Sequence, residues 1–112
     1  MDTRISILLP TRDRAALVTR SLESLISRAA HPERLEIMIG IDDDDPASQE
    51  YFNSPEWTEF IEQWPVTHRV STTERYGYTG LFKYVNYLGA DSTGEFLMFW
   101  NDDALMHTEG WD

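Results

Sequence analysis

The sequence predicts an α/β domain built on a mostly parallel sheet of about four strands, with helices on both faces. Three observations carry this. Short apolar runs alternate along the chain with stretches of helical periodicity, in the order β-α-β-α-β-α-β. No internal repeat, low-complexity tract or linker interrupts that order. Three of the strands end on polar or acidic residues, and parallel sheets collect ligands beyond the carboxyl ends of their strands.

The first strand is RISILLP, Arg4–Pro10, an apolar run rich in β-branched residues and stopped by proline. DRAALVTRSLESLISRAA follows as a helix, with Val18, Leu22, Leu25, Ile26 and Ala29 on one face and Asp13 as N-cap or first-turn acid. His31-Pro32 ends it. The second strand, LEIMIGI at Leu35–Ile41, runs into the acidic stretch Asp42 to Asp45. PASQEYFNSPEWTEFIEQWP reads as two short helices divided near Ser54-Pro55, with Trp57, Phe60, Ile61 and Trp64 on the apolar side. VTHRVST alternates apolar and polar residues, as a less buried third strand does. TGLFKYVNYLGA is helical, with Leu81, Tyr84, Val85 and Leu88 on one side, and EFLMFW is the fourth strand.

A chain of 112 residues supports one domain, 1–112, and its 41% hydrophobic content suits a packed core. Twenty acidic against nine basic residues, a formal charge of -11, argue against a nucleic-acid partner, because phosphate backbones are bound by Lys and Arg. Such a charge suits a protein that handles anionic ligands through a metal, or one that is simply well solvated. The absence of cysteine excludes disulfides, thiolate chemistry and Cys-ligated zinc. No signal peptide and no membrane-spanning stretch is visible, so a cytoplasmic location is expected.

Three strand ends hold the candidate chemistry. Pro10-Thr11-Arg12 follows the first strand, and this turn carries two cations, Arg12 and Arg14. A helix N-terminus with arginines is an anion site, although a pair with Asp2, Asp13 or a loop acid would use the same charges. Asp42–Asp45 follows the second strand; Pro46 at a helix start makes Asp44 or Asp45 a cap, which accounts for part of the run. Its spacing does not fit an EF-hand, since Pro46 and Ala47 fall at a ligand and at the required glycine. Asn101-Asp102-Asp103 follows the fourth strand. Taken alone it reads first as an Asn-Asp turn, with a hard divalent cation as the alternative. There is neither a P-loop nor a dinucleotide fingerprint, the three histidines have no ligand spacing, and no nucleophile elbow is present.

The joint order of these pieces resembles the family 2-type glycosyltransferases with the GT-A fold. SILLPTRDR with its Leu-rich helix, then LEIMIGIDDDDPAS, resembles that family's opening. NYLGADSTGEFLMFWNDDALMHTEGWD resembles its later region, with Asn86, Gly94, Glu95, Asp102 and Asp103 at matching positions. Arg12 stands where the family usually has an aromatic residue, and Asn101 replaces the first acid of its Asp-x-Asp. The resemblance implies a Rossmann-like GT-A half-domain that binds a nucleotide-sugar donor, most often UDP-linked, with Mn²⁺ or Mg²⁺. By position, Pro10, Thr11 and Arg12 would line the base or ribose pocket, and Asp42 would accept from the uracil ring. Arg75 and Lys83 would approach the base or diphosphate. Asp102 would contact ribose, beside or on the metal, and Asp103 would ligate the metal. The family's fold continues for about as long again, within the usual domain range. The chain therefore reads as a donor-binding half, truncated at its C-terminus, whose catalytic base lies elsewhere and which a homo-oligomer would complete. The alternatives are a non-catalytic nucleotide-sugar-binding remnant and a nucleotidyltransferase-like enzyme.

Overall fold

The computed structural model describes residues 3–77 and 79–112. Four strands, β1 (Ile5–Thr11), β2 (Leu35–Asp42), β3 (Thr67–Thr73) and β4 (Phe96–Phe99), form one sheet in the order β3-β2-β1-β4, and every pairing is parallel. The helices are α1 (Ala15–Ser27), α2 (Pro46–Phe52), α3 (Pro55–Glu62) and α4 (Leu81–Ala90). After β3 the chain crosses back over the sheet to lay β4 on the free side of β1, so the strand order reverses beside β1. That reversal opens a crevice at the carboxyl ends of the strands.

The two faces of β1 and β2 are both apolar, and each recruits helices. Ile7, Leu9, Ile37, Ile39 and Ile41 point to one face, where they pack with Val18, Leu22, Leu25 and Ile26 of α1, Phe52 of α2, and Trp57 and Ile61 of α3. Leu8 and Met38 point to the other, beneath Leu88 and Val85 of α4. Gly40 lets α4 approach, since a Cβ there would lie 3.3 Å from Leu88. The residues after β4 run back along α1. Met106 N–H donates to Ser24 Oγ at 2.9 Å, the Trp111 indole to the Leu25 carbonyl at 2.8 Å, and Ala30 and His31 N–H groups to the Asp112 carboxylate.

One expectation is corrected at the start of α1. The helix begins at Ala15 after Arg14 and has no side-chain cap, and Asp13 lies outside it with φ 53. Tertiary structure overrides local capping here: the Asp13 N–H donates 2.8 Å to Asp45 Oδ2. The helix also stops at Ser27, two residues short of Ala29 in the apolar pattern, and a short 3-10 turn at Pro32–Arg34 leads into β2. Asp45 caps α2 through Ser48, and Ser54 caps α3 through Trp57, as the prolines that follow them suggest.

Candidate functional site

The crevice is a cleft of about 410 Å³, within the range of small-molecule sites. Its walls come from the turns after β1, β2 and β4 and from the loop and helix that follow β3. Pro10, Thr11, Arg12, Asp42, Arg75 and Asp102 all line it. Leu81 and Phe99 add an apolar wall.

The floor is built on two buried carboxylates. Asp102, in the turn after β4, accepts from Thr11 Oγ1 at 2.8 Å, which ties the ends of β1 and β4 together. Asp42 closes β2, and its side chain is only 2% exposed. Its Oδ2 accepts from Arg12 Nη1 at 2.8 Å, and its Oδ1 accepts from the hydroxyl of Tyr84. Arg12 also donates to Asp44 Oδ1 at 2.6 Å. The loop-acid pairing expected for the turn's arginines is thus present, while any pair with Asp2 lies outside the described residues.

The four consecutive acids have separate roles. Asp42 forms the cleft floor, and Asp44 braces Arg12 from outside. Asp45 is buried and caps α2. Burial alone would raise its pKa, but hydrogen bonds from the Ser48 hydroxyl, Asp13 N–H and Ser48 N–H outweigh that and hold it below the ordinary carboxylate value. Asp43 is exposed and joins β3 through its backbone N–H to the Thr73 carbonyl at 2.7 Å.

Two predicted site residues stand apart from the cleft lining. Lys83 is exposed, with its Nζ 5.7 Å from the centre of the Tyr76 ring. Asp103 is also exposed and lies at the rim, where Arg14 Nη1 is 3.8 Å from its Oδ2 and 3.6 Å from Asp102 Oδ1. Among the described residues there is no group of three side chains able to hold a metal. Asp102 and Asp103 both face Arg14, and two carboxylates are the number a hard cation takes when water and substrate phosphate, rather than a protein cage, complete its shell.

Tyr84, read from the sequence as part of the apolar face of α4, is buried on that helix as expected and also lines the cleft. It is buried and donates to Asp42, and its oxygen accepts the Tyr76 N–H at 2.9 Å. Burial, then the neighbouring Asp42 carboxylate, raise its phenol pKa, so it remains a donor at neutral pH. A buried tyrosine needs a partner for its hydroxyl, but the sequence does not say which, and here the partner is 42 residues away.

Fold and site together define an α/β half-domain with a cleft at the strand reversal, where carboxylates and arginines gather. Solved structures place it more closely. The chain is similar to S. aureus TarS 1-349 in complex with UDP, at 20% identity and a TM-score of 0.73, over 96% of this chain and 29% of that one. It is also similar to the mannosyltransferase PcManGT from Pyrobaculum calidifontis in complex with GDP-Man and Mn²⁺, at 23% identity and a TM-score of 0.59, over 94% of this chain and 29% of that one. No protein-family model and no curated protein matches the sequence. The fold is therefore that of a Rossmann-like glycosyltransferase half-domain, and the chain spans less than a third of these neighbours' length. No helix among the described residues is long and apolar enough to cross a membrane.

Proposed function

We propose that the chain is the donor-binding part of a family 2-type glycosyltransferase, holding a UDP-sugar with Mn²⁺ or Mg²⁺. The observation that carries this is the meeting of Thr11, Asp42 and Asp102, from three separate strand ends, in one cleft at the strand reversal. In this reading Pro10, Thr11 and Arg12 flank the base and ribose, Asp42 accepts from the base, and Asp102 contacts the ribose. Arg75 approaches the diphosphate from the loop after β3, and Lys83 follows only if its side chain leaves Tyr76. Asp103, with Asp102 beside it, holds the cation. When bound, a divalent cation held there would neutralise charge on the departing nucleoside diphosphate. Transfer breaks the bond between the sugar's anomeric carbon and the diphosphate oxygen, and forms one to an acceptor oxygen that loses its proton to a base. We assign no residue of this chain to that base. The bound neighbours support the reading, one through UDP and the other through GDP-Man with Mn²⁺.

Calorimetric titration with UDP tests this directly. Binding should weaken at least about tenfold when Mn²⁺ is chelated, the scale of losses on disturbing a metal shell. Asp103→Asn should remove most of that metal dependence. Binding that ignores the metal, or no binding at all, overturns the donor-site reading. Release of UDP from UDP-sugars is a separate measurement, because a donor-binding chain can bind without transferring.

A further inference from the structure

Tyr84 stands where three walls of the cleft meet. Its hydroxyl donates to Oδ1 of Asp42 on the floor. It accepts the backbone N–H of Tyr76, beside Arg75 in the loop after β3. Its ring meets that of Tyr76 edge-on, with centroids 4.9 Å apart. One turn along α4, Leu88 is buried against Leu8 and Met38, which fixes the helix over the sheet.

The two partners of Asp42 differ in how easily they can leave. Tyr84 is 7% exposed and packed within the helix–sheet layer, so releasing it means unpacking α4. Arg12 is 39% exposed and keeps Asp44 as a second partner when it turns outward. An incoming ligand whose own N–H takes the place of Arg12 at Oδ2 can therefore displace Arg12 more readily than it can displace Tyr84 from Oδ1.

We propose that Tyr84 is a positioning residue for base selectivity: it pins Oδ1 of Asp42 and leaves Oδ2, by exchange with Arg12, as the acceptor for a ring N–H of the ligand's base. This rests on the nucleotide-binding reading above. An ionised carboxylate only accepts, so it favours a base with a ring N–H, such as uracil, over cytosine, whose N3 carries a lone pair. The selectivity depends on orientation. Without Tyr84 the carboxylate can rotate, and the Tyr76 N–H loses its acceptor.

The test is titration of UDP and CDP, with Mn²⁺ present, against the native chain, Tyr84→Phe, Asp42→Asn and the double variant, with pyrophosphate as a base-free probe. The native chain should prefer UDP by about tenfold, and Tyr84→Phe should cut that preference by roughly two- to tenfold, the net scale of one ordinary hydrogen bond. Pyrophosphate affinity should not change. Asp42→Asn should abolish the preference, and the double variant should lose nothing further, as groups acting through one another do. An unchanged UDP/CDP ratio in Tyr84→Phe, or fully additive effects, overturns the role of Tyr84 while leaving nucleotide binding intact. A native chain that binds neither nucleotide overturns the nucleotide reading and this inference with it. Should Tyr84→Phe fail to melt cooperatively, 3-fluorotyrosine at position 84 keeps the ring and strengthens the hydroxyl as a donor. The UDP preference should then hold or rise, and a fall would overturn the proposal.

Discussion

Asp45 shows how a single residue connects local capping to site geometry. Its carboxylate accepts from the Ser48 hydroxyl at 2.6 Å and from the Asp13 N–H at 2.8 Å, so it both starts α2 and holds the turn that presents Arg12. Asp13 at φ 53 is a strained position for a residue with a Cβ, maintained by that bond. Asp45→Ala should destabilise the fold by about 1–3 kcal/mol, the combined scale of a lost cap and an orphaned buried donor. The sign of the pH dependence follows from the depressed pKa of Asp45. Its contribution is complete above the ordinary aspartate value of about 3.9 and is lost as pH falls through the lower folded value. Urea melts at pH 7 and pH 3 check this, because the gap between native and Asp45→Ala proteins should narrow in acid. The strand-end residues Thr11, Asp42 and Asp102 were legible in the sequence because a parallel sheet fixes where strand ends meet. Tyr84 was not, since the partner of its hydroxyl lies 42 residues away and nothing local marks a buried tyrosine as polar rather than apolar.

At the scale of elements, sequence pattern located the four strands and four α-helices but not the 3-10 turn at Pro32–Arg34, and boundaries were set by contacts that periodicity does not contain. The turn between α4 and β4 is an example. The Gly94 N–H donates to Ser6 Oγ at 2.9 Å, Ser6 donates to Glu36 Oε1 at 2.8 Å, and Glu36 accepts the Thr93 N–H at 2.9 Å. This network joins β1, β2 and the entry to β4 at the end of the sheet opposite the cleft. A Cβ on Gly94 would lie 2.6 Å from Ser6 Oγ and 2.7 Å from Ser6 N, so the chain must shift to admit one. Gly94→Ala should therefore cost about 1–3 kcal/mol by overpacking. Chemical denaturation should report that loss, and a neutral result would mean that the turn is free to relax. The sequence resemblance had marked Gly94 by position; its physical reason is this close approach to β1.

The whole molecule is asymmetric at its two sheet edges. Thr67, His68 and Arg69 of β3 are exposed and polar, whereas Phe96, Leu97 and Phe99 of β4 are 56%, 54% and 38% exposed. An open edge strand with apolar side chains is a template for pairing. We expect two copies to meet there, with their β4 edges antiparallel across a two-fold axis, which makes one patch self-complementary. The formal charge of -11 opposes this at low salt and is screened as the Debye length falls from ~30 Å at 0.01 M to ~3 Å at 1 M. Association by sedimentation velocity should therefore strengthen with salt, the opposite of an interface built on ion pairs. Leu97→Lys should weaken it at least about tenfold, the scale of one lost leucine burial. UDP affinity should not change, because Leu97 does not line the cleft. A chain that stays monomeric at every concentration and salt would show that the β4 edge meets no second copy.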